Sequence, residues 1–268
     1  MGATCGAGNG ADSGEEALDT GVKRLKVCLN GERRRDEHPA VPVTAAEVGA
    51  AAVEAVAAGA EAVHVHPRDA GGVESLAAED VGAGVRAARG AGVAVGVSTG
   101  LWITGGDVAR RRAAVRGWAD LAAEQRPDFA SVNAAEPGFA DLVGVLRDAG
   151  IGVEAGVWSV RDAEVVGRGP FTRVLVEITG GADPVGQADA VLARLAGLGV
   201  RGPRLLHGEG AACWPLVAHA GRLGLPTRIG LEDTLLGPGG EPVSGNAELV
   251  RLALGVWAGG PAGAGPPG

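Results

Sequence analysis

The sequence has little sulfur and few aromatic side chains. Its 268 residues include no tyrosine, one methionine and three cysteines, Cys5, Cys28 and Cys213. None of these cysteines belongs to a C-x-x-C pair, which excludes the common zinc-ribbon and dithiol-redox patterns. Such sparse cysteine use is typical of proteins without disulfides, so the sequence predicts a reduced, cytoplasmic protein.

Basic residues are fewer than acidic ones. The chain has 24 Lys and Arg against 32 Asp and Glu, a formal net charge of −8. This balance argues against a nucleic-acid partner, which needs a basic patch or stripe. An anionic substrate would instead need a local positive group, such as a metal ion or a buried arginine. No apolar run approaches the length of a membrane span. The N-terminus lacks a basic segment followed by an apolar one, so the sequence predicts no secretory signal.

Composition divides the chain into three parts. Residues 1–22 are rich in Gly, Ala, Asp and Glu without periodicity, which predicts a disordered N-terminal extension. Residues 259–268 contain only Gly, Pro and Ala, and they predict a flexible tail. The intervening residues 23–258 are predicted to form a single catalytic domain, since hydrophobic residues make up 46% of the chain and can fill a sizeable core.

Within that domain, short β-branched runs alternate with longer Ala-rich segments. The predicted strands are Leu25–Asn30, Ala62–Pro67, Ala94–Thr99, Phe129–Asn133, Gly152–Val157, Arg173–Thr179, Arg204–His207 and Thr227–Glu232. The predicted helices are Thr44–Gly59, Ala77–Arg89, Asp107–Glu124, Gly138–Ala149, Ser159–Arg168, Asp183–Leu198, Ala211–Leu223 and Ser244–Trp257. Eight βα repeats in about 230 residues predict an α/β protein with a (β/α)₈ TIM barrel. A doubly wound open sheet is the alternative, but neither G-x-G-x-x-G nor a P-loop follows an early strand.

Local signals mark several helix ends. Thr44 and Glu47 form the capping-box pattern at the first helix, and Gly59 closes it. Three joints between a helix and the next strand place glycine where a left-handed C-cap is expected: Ala91–Val93, Ala149–Ile151 and Leu198–Val200.

His64 and His66 carry the clearest chemical signal. They lie two residues apart at the end of a predicted strand, so both imidazoles point to the same face. Two imidazoles on one face can supply half of a zinc coordination shell. The alternative is a pair of hydrogen-bonded histidines in the core.

Polar residues recur where the predicted strands end, which is where a barrel carries its catalytic groups. They are Asn30, His64, His66, Arg68, Ser98, Thr99, Asn133, Glu177, His207, Glu232 and Asp233, while Glu154 and Arg228 lie within the fifth and eighth strands. Glu232 is the best third metal ligand, because the eighth strand of a closed barrel lies beside the first, whose other neighbour is the second. A salt bridge to Arg68 or Arg228 is the alternative for Glu232, and His207 is an alternative ligand or a substrate-binding residue.

Arg228 and Asp233 are predicted to form a pair. A carboxylate beside a guanidinium stays ionised, because opposite charge lowers its pKa. Asp233 can then act as a general base if a metal makes the substrate proton acidic. An ordinary ion pair that closes the barrel is the alternative.

An ordered set of short motifs resembles the β-keto acid cleavage enzymes, whose type member cleaves 3-keto-5-aminohexanoate. The motifs are Asn30-Gly31, residues 39–44 (PAVPVT), residues 64–69 (HVHPRD), residues 97–100 (VSTG), residues 131–133 (SVN), residues 153–156 (VEAG), residues 206–210 (LHGEG) and residues 228–234 (RIGLEDT). The resemblance runs from about Val27 to Ala258. It implies a zinc-dependent barrel enzyme that condenses a β-keto acid with acetyl-CoA through a zinc-stabilised enolate, giving acetoacetate and a new acyl-CoA. It also implies one Zn²⁺ per chain, no redox cofactor and a homo-oligomer, either a tetramer or a dimer.

The resemblance also assigns roles to residues of this chain. The zinc ligands fall on His64, His66 and Glu232, and the Arg/Asp dyad that takes the substrate α-proton falls on Arg228 and Asp233. Substrate binding falls on Ser98 of the third strand, Asn133 of the fourth and Glu154 of the fifth, and Thr99 and His207 join them as candidates from their positions at strand ends.

The loop after the first strand departs from the type member. There, an acidic residue recognises the substrate amine, whereas residues 31–35 here read GERRR and place Glu32 or Arg33 at that position. Arginines suit a carboxylate or the phosphates of CoA, which they bind bidentately.

Three rival functions share some of these features. A class II aldolase-like lyase also stabilises an enolate on a metal, but it would act on a phosphorylated aldol without CoA. A metal-dependent amidohydrolase also uses H-x-H, but after its first strand. A barrel that serves only as a binding or structural subunit predicts no bound metal.

Overall fold

The computed structural model describes residues 21–167 and 169–259. These residues contain eight strands: β1 (Leu25–Cys28), β2 (Ala62–Val65), β3 (Ala94–Ser98), β4 (Phe129–Asn133), β5 (Gly152–Val157), β6 (Arg173–Ile178), β7 (Arg204–Gly208) and β8 (Thr227–Ile229). Eight α-helices alternate with them: α1 (Ala45–Ala57), α2 (Ala78–Ala88), α3 (Val108–Arg116), α4 (Phe139–Asp148), α5 (Val160–Val166), α6 (Pro184–Gly197), α7 (Cys213–Leu223) and α8 (Asn246–Trp257). The predicted tails fall largely on residues 1–20 and 260–268, which lie outside the described residues.

The strands form one parallel sheet that curls into a nearly closed barrel. Neighbouring strands follow the order β7-β6-β5-β4-β3-β2-β1-β8, and every ladder is parallel. The seam between β7 and β8 is closed by two hydrogen bonds, from the Leu206 N–H to the Pro226 carbonyl at 3.0 Å and from the Thr227 hydroxyl to the Leu206 carbonyl at 2.7 Å. The predicted (β/α)₈ barrel is therefore confirmed, and the open sheet is excluded.

Local signals act as their chemistry predicts. At α1, the Glu47 N–H donates to the Thr44 hydroxyl at 3.3 Å, while the Thr44 N–H donates to the Glu47 carboxylate at 2.9 Å. The predicted capping box is thus present, and it satisfies two N–H groups that the helix start leaves open. The glycines of all three predicted joints adopt left-handed φ values: Gly92, Gly150 and Gly199.

One predicted helix is much shorter than expected. The helix predicted over Asp107–Glu124 ends at Arg116, and a single 3₁₀ turn, Gly117–Asp120, follows it. Trp118 in that turn is buried and donates its indole N–H to the Leu76 carbonyl at 3.0 Å. This contact fixes the turn after α3 to the segment between β2 and α2. None of the helices in the described part of the chain is both long and apolar enough to cross a bilayer.

Three charged side chains are buried inside the barrel. Glu154 of β5 lies between Lys26 of β1 and Arg173 of β6, with a direct contact to Lys26 and 2.8 Å between its Oε1 and Arg173 Nε. All three side chains are almost completely buried, and both cations flank the ring of Phe129. A Cβ on Gly96 would lie 1.9 Å from that ring, so β3 needs glycine here. We call Lys26, Glu154 and Arg173 the interior ion triad.

Candidate metal and active site

A cavity of about 510 Å³ opens at the carboxyl ends of the strands. Its wall combines loop residues after β1 with polar residues and two tryptophans from later strand ends: Gly31, Glu32, Arg33, Arg34, Glu37, His64, His66, Ser98, Trp102, Ser131, Asn133, Trp158, Leu175, Glu177, Thr179, Glu209, Arg228 and Glu232. Its size suits a small-molecule site. Its position is the one where TIM barrels carry out chemistry.

Three potential ligands meet at one side of this cavity. His64 Nε2 lies 3.9 Å and His66 Nε2 lies 3.6 Å from Glu232 Oε2. The two imidazoles stand edge to face, with their ring centroids 5.2 Å apart. The structure therefore brings together the three residues predicted to bind metal.

Two asparagine side chains hold the backbone on either side of β1 where the regular pairing ends. Asn30 accepts from the His66 N–H at 2.9 Å and donates to the His66 carbonyl at 3.0 Å. Asn246, at the start of α8, accepts from the Leu231 N–H and donates to the Leu29 carbonyl, both at 2.9 Å. Each side-chain amide makes hydrogen bonds to the backbone of the kind that a paired strand residue would make. The backbone that carries His66 and the backbone that precedes Glu232 are therefore both fixed to the end of β1.

A tight turn after β8 directs two adjacent carboxylates to different partners. The predicted strand Thr227–Glu232 ends at Ile229, and the next residue, Gly230, lies against the Cys28 carbonyl, where a Cβ would come within 1.8 Å. The N–H groups of Asp233 and Thr234 then donate to the Gly230 carbonyl at 2.9 and 3.1 Å. As a result, Glu232 faces the histidines while Asp233 faces Arg228.

Arg228 is the central cation of the site. Its Nε and Nη2 donate to Asp233 Oδ1 at 3.0 and 2.7 Å, and Nη2 also lies 3.0 Å from Glu232 Oε1. Asp233 Oδ2 is buried without a hydrogen-bond partner among the described residues. Burial raises the pKa of Asp233 to about 7 although Arg228 opposes this, so the expected effect of Arg228 on Asp233 is outweighed by desolvation.

The electrostatics around the histidines favour a cation. Burial lowers the pKa of His64 well below its usual value, which leaves a neutral ligand. Burial would also lower the pKa of His66, but Glu232 and Glu74 on its two sides raise it to about 9. Burial would raise the pKa of Glu232, yet Arg228 and the two histidines hold it well below its usual range. The two carboxylates beside His66 stabilise positive charge there, which either a proton on the imidazole or a divalent metal ion can supply.

The three donor atoms fit a zinc ion. Tetrahedral zinc with bonds of 2.0–2.1 Å places neighbouring ligand atoms about 3.3 Å apart, close to the 3.6 and 3.9 Å found here. Glu232 Oε2 is buried and accepts no hydrogen bond from any described residue, so it is available as a ligand. Two histidines and one glutamate, open to a cavity, are typical of catalytic rather than structural zinc sites.

The remaining predicted residues divide between the cavity wall and the interior. Ser98, Asn133, Glu32 and Arg33 line the cavity together with Arg228 and the three potential ligands. Thr99, Glu154, His207 and Asp233 lie outside the cavity wall that the described residues form. Thr99 donates its hydroxyl to the Ser131 carbonyl at 2.6 Å, and Glu154 belongs to the interior ion triad. Glu154 was predicted to bind substrate. The structure places its carboxylate between two buried cations.

The arginines near the site have partners within the protein. Arg228 contacts Glu232, so a salt bridge to this carboxylate is present beside the histidines. Arg68 instead donates to the carbonyls of Gly31, Arg33 and Gly72 at 2.7–2.8 Å. Each arginine of the loop after β1 contacts a carboxylate, in the pairs Arg33–Glu37, Arg34–Asp36 and Arg35–Glu47. The arginines of this loop are therefore paired with carboxylates of the loop itself or of α1.

The sequence did not single out two acidic residues of the site. Glu74 Oε1 lies 2.5 Å from His66 Nδ1. Glu209 lines the cavity, 3.5 Å from Arg228, and burial raises its pKa to about 8. A third, Glu177, was noted only for its place at a strand end, and it lies 3.3 Å from the buried His207. Position at a strand end is the signal that marks Glu177 and Glu209, whereas a loop position such as Glu74 carries no such signal.

Comparison with known proteins agrees with this geometry. The model of the β-keto acid cleavage enzyme family matches residues 24–168 and 160–258. The chain belongs to this family. Its members cleave β-keto acids. The H-x-H pair lies at the end of β2 rather than of β1, which differs from the placement expected of an amidohydrolase. A search of curated proteins finds no match.

Solved structures show the barrel fold alone, since their sequences are distant. 3-Dehydroquinate dehydratase from Geobacillus kaustophilus HTA426 has a TM-score of 0.56 at 13% identity, covering 88% of this chain and 92% of that chain. The tryptophan synthase α chain from Legionella pneumophila subsp. pneumophila has a TM-score of 0.56 at 15% identity, covering 87% and 92%. N-acetylmannosamine-6-phosphate 2-epimerase from Clostridium perfringens has a TM-score of 0.54 at 13% identity, covering 81% and 90%.

Proposed function

We propose that this β-keto acid cleavage enzyme condenses a β-keto acid with acetyl-CoA and releases acetoacetate and a new acyl-CoA. The observation that carries the proposal is the pair of adjacent carboxylates after β8. Glu232 completes a three-ligand set with His64 and His66, while Asp233 is held by Arg228 with one oxygen unpartnered among the described residues. A metal site and a poised base side by side suit the removal of a proton next to a carbonyl.

His64, His66 and Glu232 would hold Zn²⁺, and when bound the ion supplies Lewis-acid polarisation of the substrate carbonyl. Asp233 takes the proton from the carbon between the keto and carboxyl groups, and Arg228 keeps the Asp233 carboxyl in place. Ser98 and Asn133 provide hydrogen-bonding groups for the substrate on the cavity wall.

The two carbon–carbon steps balance without a redox cofactor. The substrate carbanion attacks the acetyl thioester carbonyl, a carbon–carbon bond forms, and CoA leaves as thiolate. The thiolate then attacks the original keto carbon, and the bond between that carbon and the former α-carbon breaks. The departing acetoacetate carbanion recovers a proton from Asp233, and the original acyl group leaves as its CoA thioester.

The deciding assay incubates purified enzyme with acetyl-CoA and a panel of β-keto acids and measures acetoacetate. We expect acetoacetate and a matching acyl-CoA from at least one member, in equal amounts. No acetoacetate from any member would contradict the proposal, and activity on a phosphorylated aldol without CoA would favour an aldolase-like lyase. Homo-oligomerisation, cytoplasmic location and the single-domain organisation of residues 23–258 stay predictions.

Metal content provides a second test. Purified protein is expected to contain about one zinc per chain, and the His64→Ala/His66→Ala variant is expected to contain almost none, since two of three ligands are gone. Elemental analysis measures both, and circular dichroism checks that the variant is folded. His38→Ala is the matched control, because His38 contacts the Val243 carbonyl at 2.8 Å and does not line the cavity. A double variant that keeps stoichiometric zinc would remove these residues from the metal site.

A further inference from the structure

Glu74 contacts a potential metal ligand from a separate element. It belongs to a short hairpin after β2, in which the Asp69 N–H donates to the Val73 carbonyl at 2.8 Å and the Ser75 N–H donates to the Pro67 carbonyl at 2.9 Å. The Asp69 carboxylate accepts from the Gly71 and Val73 N–H groups at 2.8 and 3.0 Å. The hairpin is therefore fixed by its own hydrogen bonds, and Glu74 is presented from a defined backbone.

The Glu74 carboxylate has a different partner on each oxygen. Oε1 lies 2.5 Å from His66 Nδ1, and Oε2 accepts from the Trp102 indole N–H at 3.1 Å. The Trp102 ring stacks near the His66 ring, with centroids 6.3 Å apart and planes inclined by 28°. Only 13% of the Glu74 side chain is exposed, so solvent competes little for these contacts.

This arrangement determines which nitrogen of His66 can bind a metal. A carboxylate at Nδ1 retains the proton there, so the Nε2 lone pair is directed to the side where Glu232 lies. A carboxylate behind a histidine ligand also increases the basicity of the imidazole, and the loss of such a partner commonly lowers metal affinity 10–100-fold. Trp102 in turn restricts the Glu74 carboxylate by occupying its second oxygen.

We propose that Glu74 is the positioning residue that orients and polarises His66 as a metal ligand, and that Trp102 holds Glu74 in that role. The proposal rests on the metal site of the proposed function. In this role the loop after β2 contributes to metal binding together with the two histidines at the strand end.

The test compares Glu74→Gln with Glu79→Gln, a matched change at an exposed residue in the first turn of α2. Zinc affinity is measured by chelator competition, and the visible spectrum of the Co²⁺-substituted protein reports the ligand field. We expect Glu74→Gln to lower zinc affinity about 10–100-fold and to shift the Co²⁺ bands, and Glu79→Gln to match the unmodified protein. Trp102→Phe is expected to lower zinc affinity by a smaller factor, because Glu74 and His66 remain.

Thermal unfolding of the metal-free variants separates positioning from stability. A positioning role predicts that metal-free Glu74→Gln unfolds near the same temperature as the unmodified protein. Wild-type zinc affinity in Glu74→Gln, beside a zinc-free His64→Ala/His66→Ala variant, would overturn the role of Glu74 and leave the proposed function intact. A metal-free Glu74→Gln protein that has lost its fold would assign Glu74 to hairpin stability and would also overturn the proposal. Unchanged zinc affinity in Trp102→Phe would overturn the part assigned to Trp102.

Discussion

The Asp233→Asn variant is expected to lower kcat by about 100- to 10,000-fold while the protein keeps its metal, because an amide cannot accept the substrate proton at neutral pH. The change is nearly isosteric, and the Asn carbonyl oxygen can still accept from Arg228. The three potential ligands, His64, His66 and Glu232, are untouched. Steady-state kinetics with acetyl-CoA and the active β-keto acid, together with zinc analysis of the same preparation, measures both effects.

The control for this experiment is Asp148→Asn, which changes the same functional group at an exposed position at the end of α4. It is expected to match the unmodified enzyme in kcat and zinc content. Asp233→Asn with an undiminished kcat would remove Asp233 as the base. Loss of zinc together with activity would instead show that Asp233 acts by shaping the turn that carries Glu232.

The second large effect is on stability. Glu154→Ala is expected to lower the free energy of unfolding by about 3–5 kcal/mol, the usual cost of removing one partner from a buried ion pair. The reason is that Lys26 and Arg173 would stay buried in the barrel with no carboxylate between them. Denaturant unfolding of the metal-free protein, followed by circular dichroism, gives the change from the transition midpoint.

Two further variants make this prediction specific to the buried triad. Glu164→Ala breaks an exposed ion pair with Arg194, in which 52% and 41% of the side chains are exposed, and it is expected to cost less than about 1 kcal/mol. The triple variant Lys26→Met/Glu154→Leu/Arg173→Met removes all three charges, and it is expected to recover most of the loss. A Glu154→Ala protein as stable as Glu164→Ala would show that the interior ion triad contributes little to the free energy of unfolding.

The fold was predictable because its signals are local and repeated. The capping box at Thr44 and the left-handed glycines at the helix–strand joints depend on a few neighbouring residues, so each can be read without knowledge of the rest. The alternation of strands and helices then leaves few topologies. Two boundaries that differ lie beside distant contacts: Trp118 binds the Leu76 carbonyl, and Gly230 lies against Cys28.

The candidate site was predictable only in part, for the same reason. His64 and His66 share a face by strand periodicity alone, and barrel closure brings Glu232 near them. Glu154 was predicted to bind substrate, but its partners Lys26 and Arg173 come from two other strands, and Lys26 lies 128 residues away in the chain. Pairing over such distances depends on how the strands are staggered around the barrel, which a single sequence does not specify.

Asn246 binds the Leu29 carbonyl across 217 positions of the chain, and β8 pairs with β1 beside it. Contacts of such long sequence separation slow folding, because a large loop must close before they form. His64 and His66 leave the ribosome long before Glu232, so a nascent chain carries the two imidazoles without their carboxylate until the last strand is added. The ligand set is therefore among the last features of the barrel to be completed during synthesis, and a chain that stops before β8 has a histidine pair but no site.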